Sequence, residues 1–208
     1  QLHHAIVNTP FAANRVLALL SKMFNLAEKW GLMPAGQNPC RHVERFPEKR
    51  RERFLRPEEL ARLAAVLSQL ETETEDSDAV LAIRLLVFTG ARLNEILRLR
   101  WDEVLLDQTQ LRLEDSKTGR KTIFLTSQAA ALPRAHPQTP GNPFVIRGRK
   151  EGTHLVNLEK PWRRVRLRAR LEGVRLHDLR HTFASVGLNN GLSLPQIGVL
   201  LGHRSVAT

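Results

Sequence analysis

The stretch that most constrains this chain is Ala79 to Phe88, apolar throughout except for Arg84. A helix that is hydrophobic on every side has to be buried on every side, so other elements must form a shell around it. One of them lies just upstream. Arg56-Pro57-Glu58-Glu59 puts proline at a first helical position with acids in the first turn, and Leu60, Leu63, Val66 and Leu67 carry an apolar face to Leu70. Arg56 stands where a capping Ser or Thr is expected, which leaves that helix start without its usual side-chain cap. Glu71 to Asp78, between the two helices, reads as a solvated acidic loop.

The buried helix runs directly into Thr89-Gly90-Ala91-Arg92-Leu93-Asn94-Glu95-Ile96-Leu97. Gly90 allows a tight corner between helices, so Arg92 emerges on rigid backbone, and Glu95, one turn later, is placed to hold its guanidinium from behind. The plainer interpretation is an i, i+3 surface pair contributing about 0.2–0.5 kcal/mol. Beyond Trp101 the period changes from helical to alternating. Gln110 to Glu114 and Thr122 to Leu125 read as the strands of a β-hairpin around Ser116-Lys117-Thr118-Gly119-Arg120, with Lys121 beside it. A lysine on such a tip can reach into a site and move a proton, although hairpin tips favour Lys, Gly and Thr for turn chemistry alone.

Pro133 to Pro143 reads as loop, followed by a short apolar run, Phe144-Val145-Ile146. The most basic part of the chain comes next, with Arg147, Arg149, Lys150, Lys160, Arg163, Arg164, Arg166, Arg168 and Arg170 against Glu151 and Glu159. From Pro161 to Leu171 a helix is expected, with Trp162, Val165 and Ala169 as its buried edge. Charges this dense repel one another unless a polyanion lies alongside, and DNA phosphates suit them better than water does. The net charge of +11 points the same way.

Leu176-His177-Asp178-Leu179-Arg180-His181-Thr182-Phe183-Ala184-Ser185 is the chemical centre of the sequence. Leu179, Phe183 and Val186 make a helical stripe, and His177 and Arg180 fall one turn apart on one face. An imidazole beside a guanidinium suits a phosphate diester, which arginine grips as a fork while histidine donates or moves a proton. Two other interpretations stand at this point. One is an amphipathic helix facing water. The other is a zinc site on His177 and His181 at i, i+4, in which Asp178 would replace the usual, longer Glu and Arg180 would add a cation beside a dication. Ser193-Leu194-Pro195-Gln196 then opens a last helix with a capping box, ending at Gly202 with His203 just outside. With residues 182–190 it also reads as a helix-turn-helix.

At the other end, Thr9-Pro10 reads as an N-cap followed by proline, and Phe11, Val16, Leu20, Met23, Ala27 and Trp30 form a stripe that Gly31 closes. That helix needs a packing partner, expected upstream of Gln1, since the chain opens on Gln and not Met. Cys40, His42, His3 and His4 match no zinc spacing. The mixed charge run from Arg41 to Arg53 marks a basic linker, set at residues 44–54 and including Arg50 and Arg51. The single cysteine excludes a disulfide framework and fits a reducing cytoplasm. No run has the length of a membrane span, and the opening residues do not read as a signal-peptide h-region.

Taken together, T-G-A-R-L-N-E-I-L at 89–97, S-K-T-G-R-K at 116–121, H-D-L-R-H-T-F-A-S at 177–185 and L-L-G-H at 200–203 resemble the catalytic domain of the tyrosine recombinases, the phage integrase family of DNA strand-exchange enzymes. The likeness runs from about Phe54 to Thr208. It implies a mainly α fold with a small antiparallel β-sheet, the fold of this family of DNA breaking-rejoining enzymes, closing as a clamp around duplex DNA. Residues 1–43 then resemble the end of the core-binding domain, 44–54 the linker, and 55–208 the catalytic domain.

By position, the resemblance implies that Arg92 and Arg180 grip the scissile phosphate and that Lys117 protonates the leaving 5′-oxygen. It makes His177 an acid/base and His203 a phosphate or nucleophile contact, with Glu95 behind Arg92. Arg50, Arg51, Arg120, Lys121, Arg147, Arg149, Lys150, Arg163 and Arg164 are the expected DNA contacts. The family needs neither metal nor cofactor. It implies double-stranded DNA as partner, a tetramer on DNA and a monomer or weak dimer free of it, in the cytoplasm on the nucleoid and away from membranes. The chain holds no tyrosine, whereas the family's nucleophile should follow Leu201-Gly202-His203-Arg204-Ser205-Val206-Ala207-Thr208. Truncation just before it is the expected cause, with delivery of a tyrosine by a neighbouring protomer as the other. A non-catalytic helix-turn-helix regulator and a zinc hydrolase on His177 and His181 remain as alternative functions.

Overall fold

A computed structural model of the protein describes residue 6 and residues 8–48, 53–72, 77–114 and 119–202. The chain divides into two compact units, residues 1–51 and 52–208. Among the described residues no helix is long and apolar enough to cross a membrane.

The first unit is built on α1, Pro10–Lys29. Thr9 occupies the N-cap position, but its hydroxyl turns back to the Ile6 carbonyl and caps nothing. At the other end Gly31 takes φ +72°. The N–H groups of Gly31 and Leu32 reach the carbonyls of Glu28 and Ala27, satisfying two orphan acceptors of the last turn. The buried face is not the stripe expected from sequence. Ala13, Asn14 and Leu17 are buried, whereas Phe11, Met23 and Trp30 are each more than half exposed. The physical reason is that polar groups secure the returning chain. Asn14 exchanges hydrogen bonds with the Phe46 backbone and donates to Glu48. Buried Asn38 donates through its side chain to Asn25 and the Ser21 carbonyl, and through its backbone N–H to Glu28.

The second unit is organised around α3, Ser77–Thr89, in which eight residues are buried. Packed against it are α2 (Pro57–Thr72), α4 (Leu93–Leu97), α5 (Ser127–Ala135), α6 (Glu159–Arg168) and α7 (Leu176–Asn189). The start of α2 lacks a hydroxyl cap, and Glu59 supplies the function instead. Its carboxylate accepts the Arg56 N–H at 3.0 Å and also takes the Arg53 guanidinium, which holds its pKa at about 2. Trp162 of α6 is buried with Val165 and Ala169, and its indole N–H donates to the Val174 carbonyl at 3.2 Å.

Two expectations for this unit fail. Asp78 does not belong to a solvated loop, because α3 already begins at Ser77. Its carboxylate accepts from the backbone N–H, Nε and NH2 of Arg147 at 2.7–3.1 Å and meets His136 Nε2 at 3.2 Å. The segment from Pro133 is not all loop either, since α5 extends through Pro133 to Ala135. Thr126 caps α5 by accepting the Ala129 N–H, the alanines that follow favour helix, and the proline removes only one ladder bond near the end.

Burial pushes the Asp78 carboxyl up, but His136 and Arg147 outweigh it and bring the pKa to about 2. A carboxyl depressed in the folded state stabilises above its unfolded pKa and loses that contribution as pH falls through the folded value. Asp78→Asn is therefore expected to cost about 2 kcal/mol at pH 7 and almost nothing near pH 2. Urea melts of the two proteins at both pH values check this, and an equal difference at both would contradict it.

The sheet is antiparallel in the order β1 (Val104–Leu105), β2 (Gln110–Leu113), β3 (Lys121–Phe124). Leu111 pairs with Ile123 and Leu113 with Lys121. Leu111, Leu113, Lys121 and Ile123 form the buried face of β2 and β3, while Arg112, Thr122 and Phe124 face outward. The last helix, α8 (Leu194–Leu201), carries the expected capping box between Ser193 and Gln196 and ends on Gly202 at φ +71°. Val186, expected on the buried stripe of α7, is instead 43% exposed, while Leu179 is buried and Phe183 lies near Gly90.

Candidate active site

Gly90 sets the site's geometry. It follows α3 with φ +59°, and a Cβ added there would lie 2.6 Å from Phe183 Cδ1 and 2.8 Å from Leu201 Cδ2. Any other residue would therefore push α7 and α8 off the end of α3. This close approach also serves Arg180, which projects from α7 and is 8% exposed. Its NH1 donates to the Gly90 carbonyl at 2.6 Å and its NH2 to the Leu201 carbonyl at 2.9 Å. One guanidinium thus clamps the ends of two helices.

Arg92 sits at the N-cap of α4. Its backbone N–H donates to Glu95 Oε2 at 2.9 Å and its NH1 to Oε1 at 2.8 Å. The Glu95 side chain is 4% exposed and that of Arg92 28%, so the carboxylate is inside and part of the Arg92 side chain opens to solvent. A third donor comes from the sheet: Lys121 Nζ reaches Glu95 Oε2 at 2.9 Å, with its own side chain 4% exposed.

The charges of these groups act on one another. Burial raises the Glu95 pKa, but the Arg92 N–H, the Lys121 ammonium and the Arg92 guanidinium together bring it below the usual carboxylate value. Burial lowers Lys121, Glu95 opposes that, and the charges of Arg180 and Arg92 lower it further. Arg180 is likewise lowered by burial and by Arg92. His177 is pushed below its ordinary value by burial and by His181, Arg180 and Arg92, with Asp178 opposing. Arg92, Lys121, His177 and Arg180 therefore act on one another electrostatically, and two of these cations, Arg92 and Lys121, bond directly to the Glu95 carboxylate. A cluster of these groups can take a phosphate diester and stabilise charge developing on its nonbridging oxygens, while an imidazole can accept or donate a proton.

The zinc interpretation loses its acid, because buried Asp178 turns back on its own helix and accepts the Arg175 N–H at 2.8 Å. The His177 and His181 rings meet edge to face, centroids 4.9 Å apart. Among the expected contact residues, Arg149, Lys150, Arg163 and Arg164 are exposed. Arg120 is exposed and paired with Glu114, and Arg147 is held within the fold by Asp78. Lys121, expected to touch DNA, is inside the site. Lys117, His203, Arg50 and Arg51 lie outside the described residues. Sequence reasoning missed the role of Lys121, although the alternation Lys121, Ile123, Leu125 places it on the inward face.

A helical shell around α3 joined by a small three-stranded antiparallel sheet is the catalytic fold of the tyrosine recombinases. Residues 53–208 match the phage integrase family, and the chain belongs to that family. It is similar to tyrosine recombinase XerA of Saccharolobus solfataricus, 32% identical over 133 residues, covering 62% of this chain and 43% of the relative. It is also similar to the shufflon-specific DNA recombinase of Escherichia coli, 29% identical over 204 residues, covering 95% of this chain and 50% of the relative. The chain thus spans about half the length, or less, of these curated relatives. Among solved structures, a lambda integrase(75-356) dimer bound to a COC' core site matches with a TM-score of 0.73 at 21% identity, covering 95% of this chain and 74% of that one. XerA recombinase matches with a TM-score of 0.62 at 20% identity, covering 96% and 75%. These two likenesses concern the fold.

Proposed function

We propose that this chain is the phosphate-gripping part of a site-specific DNA recombinase, which cleaves a strand and rejoins it through a 3′-phosphotyrosyl ester. One observation carries the proposal. Arg180 donates to the Gly90 carbonyl, two residues before Arg92, so α7 carries Arg180, and His177 one turn away on the same helix, to the neighbourhood of Arg92 and the buried carboxylate behind it.

In the proposed reaction a tyrosine oxygen attacks the scissile phosphorus. Arg92 and Arg180 hold the nonbridging oxygens and stabilise their added charge in the pentacoordinate transition state. Lys117 gives a proton to the departing 5′-oxygen, His177 assists in proton movement, and His203 contacts the phosphate or the nucleophile. The ester keeps the energy of the broken bond, so rejoining is the same displacement run backward. The attacking tyrosine is not among the 208 residues and would be supplied by further polypeptide or by a neighbouring protomer. The partner is duplex DNA, met by Arg120, Arg149, Lys150, Arg163 and Arg164, with Arg50 and Arg51 in a linker at residues 44–54. Residues 1–43 would end a core-binding domain and residues 55–208 form the catalytic domain. The lambda integrase structures include a dimer on a core site and a tetramer on a Holliday junction. We extend that mode of assembly to this chain, with a monomer or weak dimer free of DNA, acting on the nucleoid in the cytoplasm.

The test is a covalent trap. The natural protein carrying this sequence is incubated with nicked duplexes bearing its recombination site, and denaturing gels display protein joined to DNA. Wild type should form the adduct. Arg92→Ala should form at least about a hundredfold less while its affinity for the duplex stays within about threefold, because most affinity comes from contacts to many other phosphates. A protein that binds the site and never forms the adduct would instead be a regulator.

A further inference from the structure

Lys121 presents a problem that phosphate binding does not solve. Its side chain is 4% exposed, it lies on the inward face of β3 opposite Leu113, and its ammonium is spent on Glu95. A lysine so placed is not at the surface to meet a DNA backbone. Its stem is enclosed as well. A Cβ added to Gly202 would lie 2.5 Å from Lys121 Cε and 2.7 Å from Cδ, so the C-cap of α8 rests directly on the lysine's methylenes. Gly202 also takes φ +71°, which glycine tolerates best. Lys121 therefore touches three parts of the site at once: the sheet that carries it, the carboxylate that orients Arg92, and the backbone immediately before His203.

We propose that Lys121 is a positioning residue, whose ammonium offsets Glu95 so that Glu95 orients Arg92 without cancelling its charge, and whose stem seats the Gly202 cap. The first half follows from charge. Glu95 alone would make Arg92 half of a neutral ion pair, pulled away from a phosphate. With Lys121 on the same carboxylate oxygen that takes the Arg92 N–H, the group retains positive charge and Arg92 retains its direction. The second half follows from packing, since Arg180 holds the Leu201 carbonyl from one side and the Lys121 stem supports Gly202 from the other. This inference rests on the proposed function.

The test uses Lys121→Met, which keeps most of the stem and deletes the charge, with Lys121→Gln as its substitute should the methionine variant not fold. In the natural protein carrying this sequence, cleavage of nicked duplex at saturating DNA should fall about a hundredfold, the scale of a small misplacement at a reacting centre, with duplex affinity and its salt dependence unchanged. A direct phosphate contact predicts the reverse: an unchanged rate at saturation, and a log-log salt slope lower by about 0.9. A purely structural lysine predicts a lower melting temperature and a normal rate well below it. Either result overturns the proposal.

A second readout does not depend on activity. The Arg92 Nε–H signal, assigned by its loss in Arg92→Lys, should move in chemical shift and exchange with water more slowly in Lys121→Met, as Glu95 alone draws the guanidinium inward. An unchanged signal overturns the proposal even where cleavage is slow. If wild type cleaves nothing, the recombinase assignment fails, and the Arg92 signal still decides whether Lys121 positions that guanidinium.

Discussion

Arg180→Ala should abolish strand cleavage while leaving the protein on its DNA. The expected loss at saturating duplex is about a thousandfold, the upper range for removing one preorganised donor from a transition-state oxyanion. Duplex affinity should change by less than about threefold, since the many backbone contacts that dominate binding are untouched. The structure adds an effect on stability. Arg180 also donates to the carbonyls of Gly90 and Leu201, buried where α3, α7 and α8 converge, and leaving buried acceptors without a donor costs about 1–3 kcal/mol. Arg180→Lys should not rescue cleavage, because one ammonium cannot fork across two helix ends and still face a phosphate. Single-turnover cleavage, fluorescence anisotropy and thermal melting measure the three effects separately. A variant that cleaves normally would remove Arg180 from the site.

Glu95→Gln should be the most destabilising single-atom change in the catalytic unit. The substitution preserves shape but leaves the Lys121 ammonium buried without its counter-charge, and breaking a buried pair by removing one partner costs about 3–5 kcal/mol. Burial already lowers the Lys121 pKa, with Glu95 opposing. Without that opposition it falls further, so the unfolded state binds more protons than the folded one. Stability of the variant should therefore rise as pH increases through the folded lysine's pKa toward its unfolded value near 10.4. Adding Lys121→Met should recover part of the loss at pH 7, because a pair replaced on both sides leaves no buried charge behind. Denaturant melts of the two single variants and the double, at neutral and alkaline pH, check each part. An additive double variant would show that the two groups are not coupled.

Much of this protein was legible from local pattern. The run at 79–88, apolar but for Arg84, marked α3, the capping box at Ser193 and Gln196 marked α8, the alternation at 110–114 and 122–125 marked β2 and β3, and Trp162, Val165 and Ala169 marked the buried edge of α6 and its end. Periodicity and caps act within one or two turns, so the residues themselves declare them. The spacing of His177 and Arg180 and the pairing of Arg92 with Glu95 were readable for the same reason.

Where a polar group finds its partner was not readable. Asp78 looked solvated, yet it binds Arg147, 69 positions away, and Lys121 looked like a hairpin contact for DNA, yet it pairs with Glu95 across 26 positions. Phe11, Met23 and Trp30 formed the more apolar stripe of α1, yet Asn14 and Asn38 determined which face the chain covers. Burying a charge or an amide is costly unless a partner arrives with it, and that partner is chosen by the folded backbone rather than by near neighbours in sequence. The sequence by itself determined the elements and the kinds of group available for a phosphate. Only the tertiary structure decided which cation faces outward, which is held inside, and which carboxylate lies between them.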